Sequence, residues 1–89
     1  MANHASAEKR HRQNIKRRDR NRSSRSEIRT WVKSSLKSAK EGDLAAAQEH
    51  AKKATRLLDK AVVHGLLHKN NAARRISRLQ RRIVTLAAQ

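Results

Sequence analysis

The sequence predicts an all-α protein: an antiparallel three-helix bundle with a long, basic N-terminal helix projecting from it. Three observations support this. The 89 residues include no Pro and only two Gly, while Ala, Lys, Arg and Leu are abundant, a composition of strong helix formers. Gly42 and Gly65 divide the chain into three stretches. Within each stretch apolar residues recur every three or four positions, the period of one helix face. A chain of this length makes one small domain with a core that is only marginally sufficient. It has no Cys, so neither a disulfide framework nor a thiolate zinc site is available.

The first stretch changes character along its length. Ile28, Trp31, Val32, Leu36 and Ala39 form an apolar seam, yet residues 16–27 contain no apolar side chain. Residues 9–25 carry nine Lys/Arg against one acid, Asp19, and Ile15 is their only large apolar residue. A helix over residues 6–40 spans roughly 50 Å at the standard rise. Residues 28–89 are therefore expected to form the bundle. Residues 1–27 form a basic arm that has nothing on this chain to pack against and becomes helical when a polyanion binds it. Trp31 lies on the seam and is read as core rather than as a base-stacking platform.

Gly42 suits the left-handed position that closes a helix, and Asp43 suits the N-cap of the next. The second helix then presents Leu44, Ala47, Ala51, Ala54, Leu58, Ala61 and Val62 as its seam. Gly65 ends it in the same way. The third helix offers Ala72, Ala73, Ile76, Leu79, Ile83 and Leu86.

Charge is unevenly distributed. The formal net charge is +16, and the pI is about 11.9. Residues 1–40 carry 13 basic and 3 acidic groups, residues 41–59 carry 3 and 4, and residues 60–89 carry 7 and none. An ordinary solvated surface mixes signs. The first and third helices are thus expected to carry a polyanion-binding surface, with the second facing solvent on the far side. Arg18, Arg22, Arg25, Arg29, Lys33 and Lys37 recur as one stripe on the first helix. On the third, Arg74, Arg78 and Arg81 are expected to project opposite Ile76 and Leu79, with Arg75 and Arg82 at the side.

The polyanion is expected to be a nucleic acid. With no Phe or Tyr and one Trp, a stacking sheet is excluded, and without Cys so is a zinc finger. Phosphate and groove-shape recognition by helical Arg and Lys remains, and it suits folded, largely double-helical RNA. A basic zipper on DNA would need more heptads than the few apolar turns before Gly42 supply. A sequence-tolerant DNA-compacting protein is the principal rival. A membrane-active helix would need Leu or Phe opposite its basic face, and residues 6–27 have neither.

The opening MANHASAEKRHRQNIKRRDRNRSSRSEIRT and the later GLLHKNNAARRISRLQRR together resemble the bacterial small-subunit ribosomal protein twenty family. The likeness is collinear over essentially the whole chain and includes the Gly-Asp at the second helix start. It implies a three-helix bundle with a long first helix and direct binding to 16S ribosomal RNA early in small-subunit assembly. It further implies a monomer within the subunit, meeting other components mainly through RNA. The first matched run covers Arg12, Gln13, Asn14, Lys16, Arg17 and Arg18. The second covers His68, Lys69, Asn70, Arg74, Arg75, Ser77 and Arg78 as RNA-facing candidates, with Ala72, Ala73 and Leu79 as packing residues. Charge adds Lys9, Arg10, Arg20, Arg22, Arg25, Arg29 and Lys33 to the candidate RNA-binding set. His4, Trp31 and an Ala- and His-rich second helix depart from the family pattern and bear on local packing.

Other chemistry finds little support. His64 and His68 are four apart, but Gly65 breaks the helix between them and no further ligand completes a metal site. Asp19, Glu27, Asp43 and Asp59 are isolated, and no nucleophile constellation or Gly-rich phosphate loop occurs. The serines of the first helix read as small polar helix positions. No enzyme activity, cofactor, metal or small-molecule substrate is expected. The acid-poor N-terminus resembles an organelle transit peptide only superficially, because residues 2–14 hold nothing apolar larger than Ala. A cytoplasmic protein used whole is the expectation.

Overall fold

The computed structural model describes residues 2–88, with side chains from Ala5 to Ala88; Met1, Gln89 and the departure at His4 lie outside this range. Three helices account for it: α1 (Ala2–Lys40), α2 (Leu44–Val63) and α3 (Lys69–Ala88). α1 begins four residues before the expected start. No Gly or Pro interrupts residues 2–40, so its 39 residues run unbroken for about 58 Å. The molecule measures 65 × 22 × 15 Å, its long axis set by that helix.

Both connections use one capping device. The Asp43 N–H donates to the Ser38 carbonyl (2.9 Å) and the Gly42 N–H to the Ala39 carbonyl (3.1 Å). At the end of α2, Leu66 donates to Ala61 (2.8 Å) and Gly65 to Val62 (3.1 Å). This 6→1 and 5→2 pairing satisfies otherwise orphaned carbonyls and requires a left-handed residue, which Gly42 (φ 85°) and Gly65 (φ 76°) provide. Asp43 accepts from the Ala46 N–H at 3.1 Å, as expected of an N-cap. His68 caps α3: its carbonyl accepts from Asn71 (3.0 Å) and Ala72 (3.1 Å), and its Nδ1 accepts from Asn70 N–H (3.1 Å).

The core is small and rich in alanine. One group unites Ala39, Ala47, Ala51, Ala54, Leu79 and Ile83; a second unites Ile28, Leu58, Ala61 and Ala72. Val32 packs against both. The alanines of α2 let α1 and α3 approach closely, so backbone proximity substitutes for side-chain bulk. Ser35, read from sequence as an ordinary polar position, is fully buried, and its hydroxyl donates to the Ala47 carbonyl at 3.0 Å.

Two packing expectations need correction. Leu44 is 47% exposed, because it opens α2 at the end of the bundle. Ala73 is exposed, because Ala72 already occupies the inward direction and the next residue is turned about 100° away.

Candidate nucleic-acid interface

Every candidate RNA-binding residue from Lys9 to Arg78 is exposed. The structure sorts them by the flank of the helix they occupy. On α1, residues 5–20 are exposed except for Ile15, which is half-buried. From Asn21 and Ser24 onward one face turns toward α2, where Arg20, Asn21, Ser24 and Glu27 line a cleft of about 200 Å³ with Leu57, Lys60, Ala61, His64 and Leu66. The last turns of the arm thus lie against α2, contrary to the expectation that residues 1–27 have nothing on this chain to pack against.

The opposite flank of α1 faces α3 across an open groove of about 390 Å³. Its apolar lining is Ile28, Val32, Leu36, Leu58, Leu67 and Leu79. Arg25 and Arg29 of α1, and Arg75, Arg78 and Arg82 of α3, complete it. Arg75 is oriented by its Nε, which donates to Asn71 Oδ1 at 3.0 Å. Among the described residues, no carboxylate lies within ion-pairing distance of these five guanidinium groups. The positive field of the groove is therefore not cancelled locally.

The groove changes the grouping expected on α3. Arg78 joins Arg75 and Arg82, not Arg74 and Arg81. With Ala72, Leu79 and Ile83 buried, steps of 100° place 75, 78 and 82 together on one flank, while 74 and 81 point away from the core. Arg82 was outside the candidate set; its seven-residue spacing from Arg75 was the available signal. Continued up α1, the flank of Arg25 and Arg29 carries Arg18 and Arg22, so one basic track links arm and groove. Lys33 and Ser77 lie farther round their helices and do not line it.

α2 is not simply a neutral outer helix. Glu41, Asp43 and Glu49 lie at or before its first turns, while Lys52, Lys53, Arg56 and Lys60 follow with Asp59 among them. Lys53, Arg56 and Lys60 line a second shallow site with Glu27, Trp31 and Leu57 of the α1/α2 face. Trp31 is half-buried, with its ring centroid 5.5 Å from that of His50 at 30° and Lys53 Nζ 4.4 Å from its own centroid. The indole is thereby committed within the protein, with a cation–π contact at its face. His50 Nδ1 is buried without a hydrogen-bond partner. Among the described residues no cluster of His, Cys, Asp or Glu could hold a metal ion, and no helix is long and apolar enough to cross a membrane.

A helical scaffold that carries one continuous track of solvent-facing guanidinium groups from its first helix into an interhelical groove, with no catalytic constellation among the described residues, defines a basic, all-helical structural protein. Within that class the chain belongs to the ribosomal protein S20 family, whose model matches residues 2–84. It is 47% identical over 87 residues to the small ribosomal subunit protein bS20 of Acinetobacter baumannii, covering 98% of this chain and 99% of the relative. It is 49% identical over 88 residues to the protein of the same name from Legionella pneumophila, covering 99% and 100%.

Proposed function

We propose that this chain binds 16S ribosomal RNA directly and supports assembly of the small subunit through phosphate and shape contacts. As a member of its family it is a structural constituent of the small ribosomal subunit in the cytoplasm, and not an enzyme. The observation that carries direct binding is the continuous track from Arg18 and Arg22 into the groove bounded by Arg25, Arg29, Arg75, Arg78 and Arg82. Phosphates laid along it release counterions, which supplies affinity without base-specific contacts.

Residues 1–27 act as the RNA-binding arm and residues 28–89 as the bundle that positions it. Within the arm, Lys9, Arg10, Arg12, Lys16, Arg17 and Arg20 take phosphates, while Gln13 and Asn14 donate hydrogen bonds. Like charges four apart, such as Lys16/Arg20 and Arg18/Arg22, disfavour an isolated helix. Neutralisation by RNA therefore favours the helical arm. Lys33, His68, Lys69, Asn70, Arg74 and Ser77 extend the contact surface around the bundle.

The test is a competition at near-physiological salt between a 16S 5′-domain fragment and excess mixed-sequence duplex DNA or unrelated structured RNA. Retention on the ribosomal fragment supports shape-specific binding. Equal displacement by every competitor leaves a non-specific polycation and favours a DNA-compacting role.

A further inference from the structure

We propose that the α1/α3 groove seats a single extruded nucleotide of RNA, an inference that rests on the RNA-binding reading above. The base lies on the aliphatic floor, and the flanking phosphates are gripped from the two walls. The groove floor is the side of the bundle core, but part of it stays open to solvent, which a surface built only for phosphates does not require. Here the half-buried Val32, Leu36 and Leu67 lie over the buried Ile28, Leu58 and Leu79, between opposed rows of guanidinium groups. Phosphate contact alone would leave the exposed parts of Val32, Leu36 and Leu67 wet, whereas a planar base covers them and gains the transfer free energy of the apolar area removed from water.

The rim chemistry favours the same occupant. Guanidinium planes stack on bases as well as pairing with phosphates, so Arg serves both parts of a nucleotide. Its size also discriminates among occupants. At about 390 Å³ the groove stands near the lower end of the range for small-ligand sites. That accommodates a nucleoside, while an amphipathic peptide helix, roughly 10 Å across, needs a longer trough. Finally, the flank of Arg18 and Arg22 leads a phosphate backbone directly to the groove mouth. Extrusion from a stem costs a few kcal/mol and least where the nucleotide is already unpaired. The groove therefore selects a bulge or loop over a continuous duplex.

Two RNA hairpins with the same stem, one fully paired and one with a single bulged adenosine, would be offered to the full-length protein at matched salt. The bulged hairpin is expected to bind roughly tenfold more tightly. Methyl resonances of Ile28, Val32, Leu36, Leu67 and Leu79 are expected to move upfield with the bulged hairpin only, through ring currents from the seated base. Leu67→Phe, which fills the groove from the α2–α3 connection without altering charge, is expected to abolish the preference, so that the two hairpins bind alike. Because the methyl shifts are read on the unsubstituted protein, the test stands even if that variant folds poorly. Equal, salt-sensitive binding of both hairpins without methyl shifts overturns the nucleotide site and leaves phosphate recognition intact. Failure to bind either hairpin overturns the nucleotide site, while the ribosomal reading stands or falls on retention of the 16S fragment in the competition above. Preferential seating of an acidic amphipathic peptide reassigns the groove to a protein partner.

Discussion

Ser35 and Leu79 are both buried, yet they stabilise the bundle to different extents. The Ser35 hydroxyl donates to the Ala47 carbonyl of α2. That carbonyl also serves the backbone of its own helix, so Ser35→Ala removes one neutral hydrogen bond and orphans nothing. The expected cost is about 0.5–1.5 kcal/mol. Leu79→Ala, at a position 4% exposed, removes core carbon and leaves a cavity, costing about 2–5 kcal/mol. Urea unfolding of the two variants should rank them in that order; an unchanged stability for Leu79→Ala would show that the third-helix seam is misassigned. Periodicity alone identifies Leu79 as core, because large aliphatic residues at the 3-4 spacing admit few other uses. Ser35 falls at the same spacing, but hydroxyl residues serve solvent-facing positions equally well, and only the approach of Ala47 decides its place.

At the scale of the elements, the caps and the arm make separate predictions. A Cβ at Gly65 would meet no atom within 4 Å, so Gly65→Ala carries only the backbone cost of φ +76°. That cost is about 1–2 kcal/mol, read as a lower thermal midpoint with unchanged helicity below it. Glycine and aspartate at 42 and 43 announce the first turn in sequence because few residues adopt that backbone conformation. The arm behaves in the opposite way. Arg17 is exposed on a stretch of α1 that precedes the bundle contacts, so Arg17→Ala should leave unfolding unchanged within about 0.5 kcal/mol while weakening RNA binding. Loss of bundle stability would show that the arm packs on its own protein as far out as residue 17. The pairing of Arg78 with Arg75 and Arg82 was less legible. It depends on which flank of α3 turns toward α1, and an isolated helical pattern has no such reference.

For the whole molecule, the 65 Å axis separates the far end of the arm from the bundle. If the track along both engages about eight phosphates, the logarithm of the binding constant should fall against log[salt] with a slope on the order of −6 to −7. A slope near −2, measured by titration across salt concentrations, would mean that only one short patch of the track meets RNA.

The sequence by itself determined the helices, their caps, the apolar seams and the concentration of positive charge at the two ends of the chain. These follow from local preferences and from periodicity within single elements. Only the tertiary structure decided that Ser35 is buried, that Leu44 and Ala73 are not, and that Trp31 is held by His50 and Lys53. It also decided that Arg82 joins four other arginines around an apolar groove. Leu44 is exposed because α2 starts at the end of the bundle and Ala73 because Ala72 takes the inward direction. The others depend on the rotation of one helix against another, fixed by close contact across the small alanine-rich face of α2. No pattern within one helix encodes that relative rotation.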